Sequence, residues 1–323
     1  MRDLVRGLGD HHCWPRSCSA IATGAIPRIV SKSNAIVTLA RNPTRPTQAG
    51  GLRPCDLNSH ILQSVTKRAP TGSRPRSFDF DWIAETYERS RGGNARISAI
   101  AAMLARWIPS SGVILDIGAG PGALAAAIVA PRRAVVAVDL SQCMANRAGT
   151  QDGLAGVLRA RAEELPLADC SIDAAMFIWV LNHVGDPGKA ISEAARVLRP
   201  GGWLLVLSGI PTNPPDDELG HQMARLDSFR REPVFDDGAL SASAKANRFR
   251  EVHREVYQGN FSQSPAGLAM RIETRQYAHL VDVDAEAWIA RVQPVIDNLR
   301  ARPDSELRLD RQNRHLFFVF ERE

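Results

Sequence analysis

No stretch of this 323-residue chain stays apolar for the ~18–20 residues that a bilayer-crossing helix requires, which argues against a spanning segment and leaves a soluble protein as the expectation. The opening residues also lack a compact apolar run of about 7–15 residues, so a secretory signal is not expected. Cysteine is sparse: Cys13, Cys18, Cys55, Cys143 and Cys170 form neither a redox pair nor a zinc set. Cys13 and Cys18 stand near His11 and His12, but no second ligand pair follows them, and no metal is expected. Scattered thiols in odd number fit a reducing compartment, so the expected location is cytoplasmic. Internal repeats and long low-complexity tracts are also missing.

Acidic residues are nearly absent from the first 77 positions, where only Asp3, Asp10 and Asp56 oppose 12 Lys and Arg. The whole chain carries a net charge of +5, so this stretch (+9) leaves the remaining residues at −4. Any long-range attraction to polyphosphate therefore belongs to the N-terminal stretch and not to the body of the protein. Residues 1–77 show no sustained helical or strand period. They read as a disordered basic tail or a start placed too far upstream, with an Arg- and Ser-rich organellar transit peptide as the alternative.

What is present from Phe78 onward is a globular pattern. The chain is 44% hydrophobic and 23% charged, enough to build a core and too apolar for global disorder. Ile97, Ile100, Ala101, Leu104 and Ile108 fall at helical spacing and predict an amphipathic helix ending at Pro109. Strands are then expected at 113–118, 134–140, 156–161, 172–180 and 203–208, with helices over 122–130, 141–149 and 187–198. Asp186 is the expected N-cap of the last of these and Pro187 its first residue. Strands separated by helices imply right-handed crossovers and a mostly parallel sheet. Past a breaker cluster that begins at Ile210, helices are expected at 216–230 and, kinked at Pro294, at 285–299. Strands are expected at 249–258 and at the C-terminus.

The run VILDIGAGPGA places Gly118, Gly120 and Gly122 directly after an apolar strand, where the backbone must turn sharply and let N–H groups approach a ligand. The same letters satisfy a dinucleotide fingerprint, and a tight turn without a ligand is a third reading. Asp139 ends the neighbouring strand, where a carboxylate can accept hydrogen bonds from both hydroxyls of a ribose. An adenine nucleoside ligand follows from the two together, with NAD still open.

The ordered landmarks DIGAGPG, VDLS, AEELPLADCSIDA, VLNHVGDP and AARVLRPGG resemble the small class I methyltransferases of the ubiquinone-methylase (UbiE-like) type, the type 11 methyltransferase family. The likeness covers about 95 residues. It implies a doubly wound, Rossmann-like α/β fold with a mostly parallel seven-stranded sheet and helical insertions near the C-terminus. One domain would span 78–323, with a cofactor half at 78–209, substrate-side insertions at 210–314 and a closing strand at 315–322. The implied cofactor is S-adenosylmethionine. By the same resemblance Asp116, Gly118, Ala119, Gly120 and Gly122 face its methionyl end, Asp139 takes the ribose with Leu140 beside it, and backbone at Ala162 and Glu163 edges the adenine. Trp179 lies beside the cofactor, and Tyr87 is either its lid or a ring packed beneath the entry helix.

Two departures from the family pattern stand out. Relatives often carry an acid that binds the adenine amino group where this chain has Arg161, which cannot accept that bond. Many carry a histidine pair where this chain has Asn182-His183, and the strand that would supply a partnering acid ends in Ser208-Gly209.

Methyl transfer needs positioning and dryness more than a base. His183 is the candidate base, against a plain role in capping or packing its loop. His221 and His279 lie in the insertions and are weaker candidates. With no amino-methylase signature, no RNA-binding module and a mildly acidic body, a small-molecule acceptor is the expected substrate, with O, N or C left open and no specific nucleic-acid partner. The alternatives are an RNA or protein methyltransferase, a non-catalytic adenosylmethionine binder and, last, an NAD-dependent oxidoreductase.

Overall fold

A computed structural model describes residues 36–39, 80, 93–213, 216–230 and 235–323. A short strand, β1 (Ile36–Leu39), comes first in the chain. Helix α1 (Gly93–Leu104) then leads into an alternation of strands and helices: β2 (Gly112–Ile117), α2 (Ala123–Ala127), β3 (Arg133–Asp139), α3 (Gln142–Ala148), β4 (Gly156–Arg159), β5 (Ile172–Ile178), α4 (Pro187–Val197) and β6 (Leu198–Asn213). The strand cores fall where the apolar runs predict them. β2 is buried at every position after its first residue, as a strand covered on both faces must be. Val113, Leu115 and Ile117 join one layer, with Ala190, Ile191 and Ala194 of α4, while Ile114 joins the other, with Ile100 and Leu104 of α1. Asp186 caps α4 by accepting from the Lys189 amide at 2.9 Å, with Pro187 in the first turn.

Two long C-terminal strands, β7 (Phe249–Gln263) and β8 (Leu309–Arg322), complete a sheet of eight in the order β1-β4-β3-β2-β5-β6-β8-β7. The five from β4 to β6 run parallel, while β1, β7 and β8 pair antiparallel. The sheet is therefore mixed. It also gains a strand over the expected seven, because Ile36–Leu39 pairs with Gly156–Arg159 on its edge. Those four residues lie inside the stretch read from the sequence as a tail. The remainder of 1–77, with Cys13, Cys18 and Cys55, and the segment holding Tyr87 and Arg91 lie outside the described residues. Among the described residues no helix is long and apolar enough to cross a membrane.

Strand order reverses at β2, which has β3 on one side and β5 on the other. In open α/β sheets the crevice at such a switch point, at the carboxyl ends of the strands, is where ligands bind.

The C-terminal part departs further from expectation. The helix expected over 216–230 is shorter, α5 (Glu218–Ala224) plus a 3₁₀ turn at Asp227–Phe229. Two helices that the apolar pattern does not announce, α6 (Asp237–Ala246) and α7 (Pro265–Glu273), begin at side-chain caps, Asp236 and Ser264. The expected 285–299 helix is a short turn (Ala285–Ala287), a π-helical turn (Trp288–Val292) and α8 (Gln293–Arg300). Pro294 sits in the first turn of α8, where its missing N–H is harmless, and the wider π turn shifts the register ahead of it. Ile289, expected on the buried face, is in consequence 70% exposed, while Val292, Ile296 and Leu299 are buried. Helices α5, α7 and α8 share a small core of their own that includes Leu219, Leu268, Ile272 and Ile296.

Candidate functional site

At the end of β2 the chain turns through Gly118, Gly120 and Gly122 with φ of 74°, 55° and 80°. Such angles strain any residue with a Cβ. A Cβ on Gly118 would lie 2.6 Å from both methyl carbons of Val180, and one on Gly122 would lie 2.9 Å from the Ala148 backbone. The first glycine thus lets the turn close against the end of β5, and the third lets it close against α3. Amides of Gly118 and Ala119 both donate to the Val138 carbonyl, at 2.7 and 3.0 Å.

The Gly120 amide donates to Asp139 Oδ2 and the Ser141 amide to Oδ1, each at 2.8 Å. The Asp139 carboxylate is therefore fixed in orientation, and each oxygen has further acceptor capacity. Leu140, next in sequence, is 48% exposed at the same edge.

Asp116 is 2% exposed, and its Oδ2 has no hydrogen-bond partner. Burial, and secondarily the Asp139 charge, push its pKa up to about 7. An unpartnered carboxylate oxygen beside a ligand loop is costly until a donor or a cation meets it.

Glu163 is buried, and Oε1 accepts from the Gly185 amide at 2.8 Å and the Asp186 amide at 3.2 Å. Arg161 pairs with the same oxygen at 3.2 Å. The Glu163 side chain thereby ties down the loop before α4. Ala162, between the two, is buried.

Trp179 follows β5 in a left-handed conformation, φ 58°, a strained state for a bulky residue. Its surroundings hold it: the Arg96 guanidinium lies 3.6 Å from the ring centroid, and Tyr257 and His315 meet it at 5.9 and 5.6 Å with interplanar angles of 70° and 76°. Asn182 and His183 occupy a 3₁₀ turn (Leu181–His183), both exposed. His183 meets the Phe80 ring edge-on at 5.3 Å, and the Asn182 amide lies over Gly209. Ser208 is buried, its hydroxyl accepting from the Ile210 amide at 3.2 Å. His221 bonds to exposed Asp216 at 2.9 Å. His279 sits in the helical insertion, where burial lowers its pKa to about 4.

Asp116, Gly118, Ala119, Gly120, Gly122 and Asp139 are thus brought together around one turn, with Trp179 beside it through Val180. Sequence reasoning missed Arg96, Tyr257 and His315. His315 lies in an apolar strand with nothing local to mark it, and only the strand register brings it opposite Tyr257.

Residues 115–206 match the family model described as a methyltransferase domain. Over these residues the chain is similar to methyltransferase domains. A ubiquinone/menaquinone biosynthesis C-methyltransferase of Syntrophotalea carbinolica is 38% identical over 146 residues, 42% of this chain and 62% of the relative. An uncharacterised methyltransferase of Mycobacterium bovis is 34% identical over 168 residues, 51% of this chain and 64% of the relative. A demethylmenaquinone methyltransferase of Clavibacter sepedonicus is 33% identical over 134 residues, 39% of this chain and 55% of the relative. The chain spans roughly three-fifths of the length of these curated relatives. The matched region ends before the antiparallel pair β7 and β8, so Tyr257 and His315 lie outside it.

Proposed function

We propose that the protein transfers a methyl group from S-adenosylmethionine to a small-molecule acceptor bound at the carboxyl edge of the sheet. The observation that carries this reading is the Asp139 carboxylate, pinned by the Gly120 and Ser141 amides beside the unpartnered Asp116 Oδ2. When bound, S-adenosylmethionine supplies a methyl carbon activated by a sulfonium. Asp139 accepts hydrogen bonds from the ribose hydroxyls through oxygens that need no reorientation. Asp116 Oδ2 would receive the ammonium of the methionyl end, and a carboxyl protonated before binding would release its proton to solvent. Leu140 offers its exposed side chain to the adenine face, and the backbone at Ala162 and Glu163 borders the ring edge. The Glu163 carboxylate stays with Gly185 and Asp186, so it holds the wall and does not read the base.

Displacement at a sulfonium carbon asks the protein to align the acceptor and exclude water. Trp179 stands at the junction of the cofactor turn and the acceptor side, because its neighbour Val180 packs over Gly118. His183 would hold an acceptor proton at the rim; the turn that carries it is exposed. A small acceptor fits the charge of the body, −4 over residues 78–323, since polyphosphate binding draws on clustered Lys and Arg. Filter binding of RNA at two salt concentrations tests that choice. Weak, salt-sensitive retention is expected of the full chain. Submicromolar binding that survives high salt would transfer the proposal to an RNA acceptor.

A further inference from the structure

We infer that His315 is an acceptor-binding residue, whose Nδ1 takes a hydrogen bond from an O–H or N–H at the edge of a flat aromatic acceptor. This rests on the methyl-transfer reading above and adds the residue that selects the acceptor.

His315 is 6% exposed, and its Nδ1 has no hydrogen-bond partner. The ring lies against the backbone at Ser208 and Ile210, where β6 passes the carboxyl edge. Cross-strand pairing sets it between Pro211 on β6 and Tyr257 on β7. Packing alone would be served as well by an apolar ring, whereas a buried imidazole nitrogen without a partner carries a desolvation cost. Burial lowers its pKa to about 4, so the ring is neutral at neutral pH and one of its two nitrogens is an acceptor, the role assigned here to Nδ1.

What surrounds the nitrogen indicates the ligand. Trp179 meets both His315 and Tyr257 edge to face, which gives three aromatic rings at one end of the sheet. Val180, the next residue, packs over the Gly118 turn, so this group adjoins the cofactor turn. Aromatic walls with one placed acceptor atom suit a planar molecule with a single polar hydrogen at its edge. Arg96 rests on the Trp179 face, and its long side chain can swing aside as an acceptor enters.

The test uses the full chain and two probe pairs that differ only by a blocked hydrogen: p-cresol against 4-methylanisole, and indole against 1-methylindole. Binding is measured by NMR titration with S-adenosylhomocysteine present, whose own affinity is recorded separately. The wild type is expected to prefer the protic member of at least one pair by roughly 5–10-fold, the scale of one hydrogen bond. His315→Phe keeps a ring against Trp179 and should erase that preference while S-adenosylhomocysteine binding is unchanged. The pair that shows the preference distinguishes a hydroxyl from an N–H acceptor. Should the variant fail to fold, the ¹⁵N shift of His315 Nδ1 in the wild type should still move with the protic probe and not with its blocked partner. Equal binding of both members in both pairs, or a preference that survives His315→Phe, overturns the inference and leaves the cofactor reading intact. Failure of the wild type to bind S-adenosylhomocysteine would instead sink that reading.

Discussion

The Gly120 amide and Asp139 Oδ2 are joined by a 2.8 Å hydrogen bond across 19 residues of chain, which links the glycine turn to the acid on the neighbouring strand. Removing the carboxylate therefore does two things at once. On the proposed reading it deletes the acceptor for the ribose and frees the turn that would face the methionyl end.

Asp139→Ala is accordingly expected to weaken S-adenosylmethionine binding by about 1–3 kcal/mol, the range for lost charge-assisted hydrogen bonds. Calorimetry on the variant checks this. An affinity within twofold of the wild type would remove Asp139 from the site.

Asp116 predicts a pH dependence. Its pKa is raised to about 7, so the unliganded site is mostly protonated below that pH. A cationic ligand favours the ionised carboxylate and lowers its pKa in the complex. Binding then requires loss of a proton below pH about 7, and affinity should rise with pH by up to roughly tenfold per unit before levelling off. Asp116→Asn should flatten that slope. The unliganded fold shows the opposite linkage at this group: a raised carboxylate pKa lends stability at low pH that fades as pH climbs from the ordinary carboxylate range toward about 7. Titrations in several buffers, with thermal melts alongside, measure both slopes.

Gly118→Ala should damage the turn from two directions. The residue would be held at φ 74°, and its Cβ would overlap Val180 at 2.6 Å. A loss of about 1–3 kcal/mol in stability is expected, with weaker cofactor binding. Thermal melts and calorimetry report the two effects; an unchanged melting temperature would mean that Val180 yields freely.

A chain beginning at Phe78 lacks β1, a four-residue edge strand. Because β1 pairs with β4 at the sheet margin, away from β2 and β5, cofactor affinity should match the full chain. A several-fold loss of affinity would place part of residues 1–77 at the site.

Much of this was legible in the sequence, for identifiable reasons. The β2, β3 and β5 runs are largely buried on both faces, so their apolar letters are continuous, and the glycine spacing after β2 reflects contacts with Val180 and Ala148 that allow no side chain. The insertions were less legible. Ile289 left the buried face because of a π turn that no local residue announces, and α6 and α7 rely on caps more than on apolar period. Arg96, Tyr257 and His315 come from three distant segments; the β7–β8 register pairs the last two, and Trp179 packs against all three. The role of Glu163 in holding Gly185 and Asp186 is equally a product of the folded chain.

That the turn from Gly118 to Gly122, with Asp116 and Asp139, holds S-adenosylmethionine is tested most directly by isothermal titration of the full chain with S-adenosylmethionine, S-adenosylhomocysteine and NADH. One site of micromolar affinity or better is predicted for the first two, with no measurable heat from NADH. Tight NADH binding, or no binding of either adenosyl ligand near neutral pH, would contradict it.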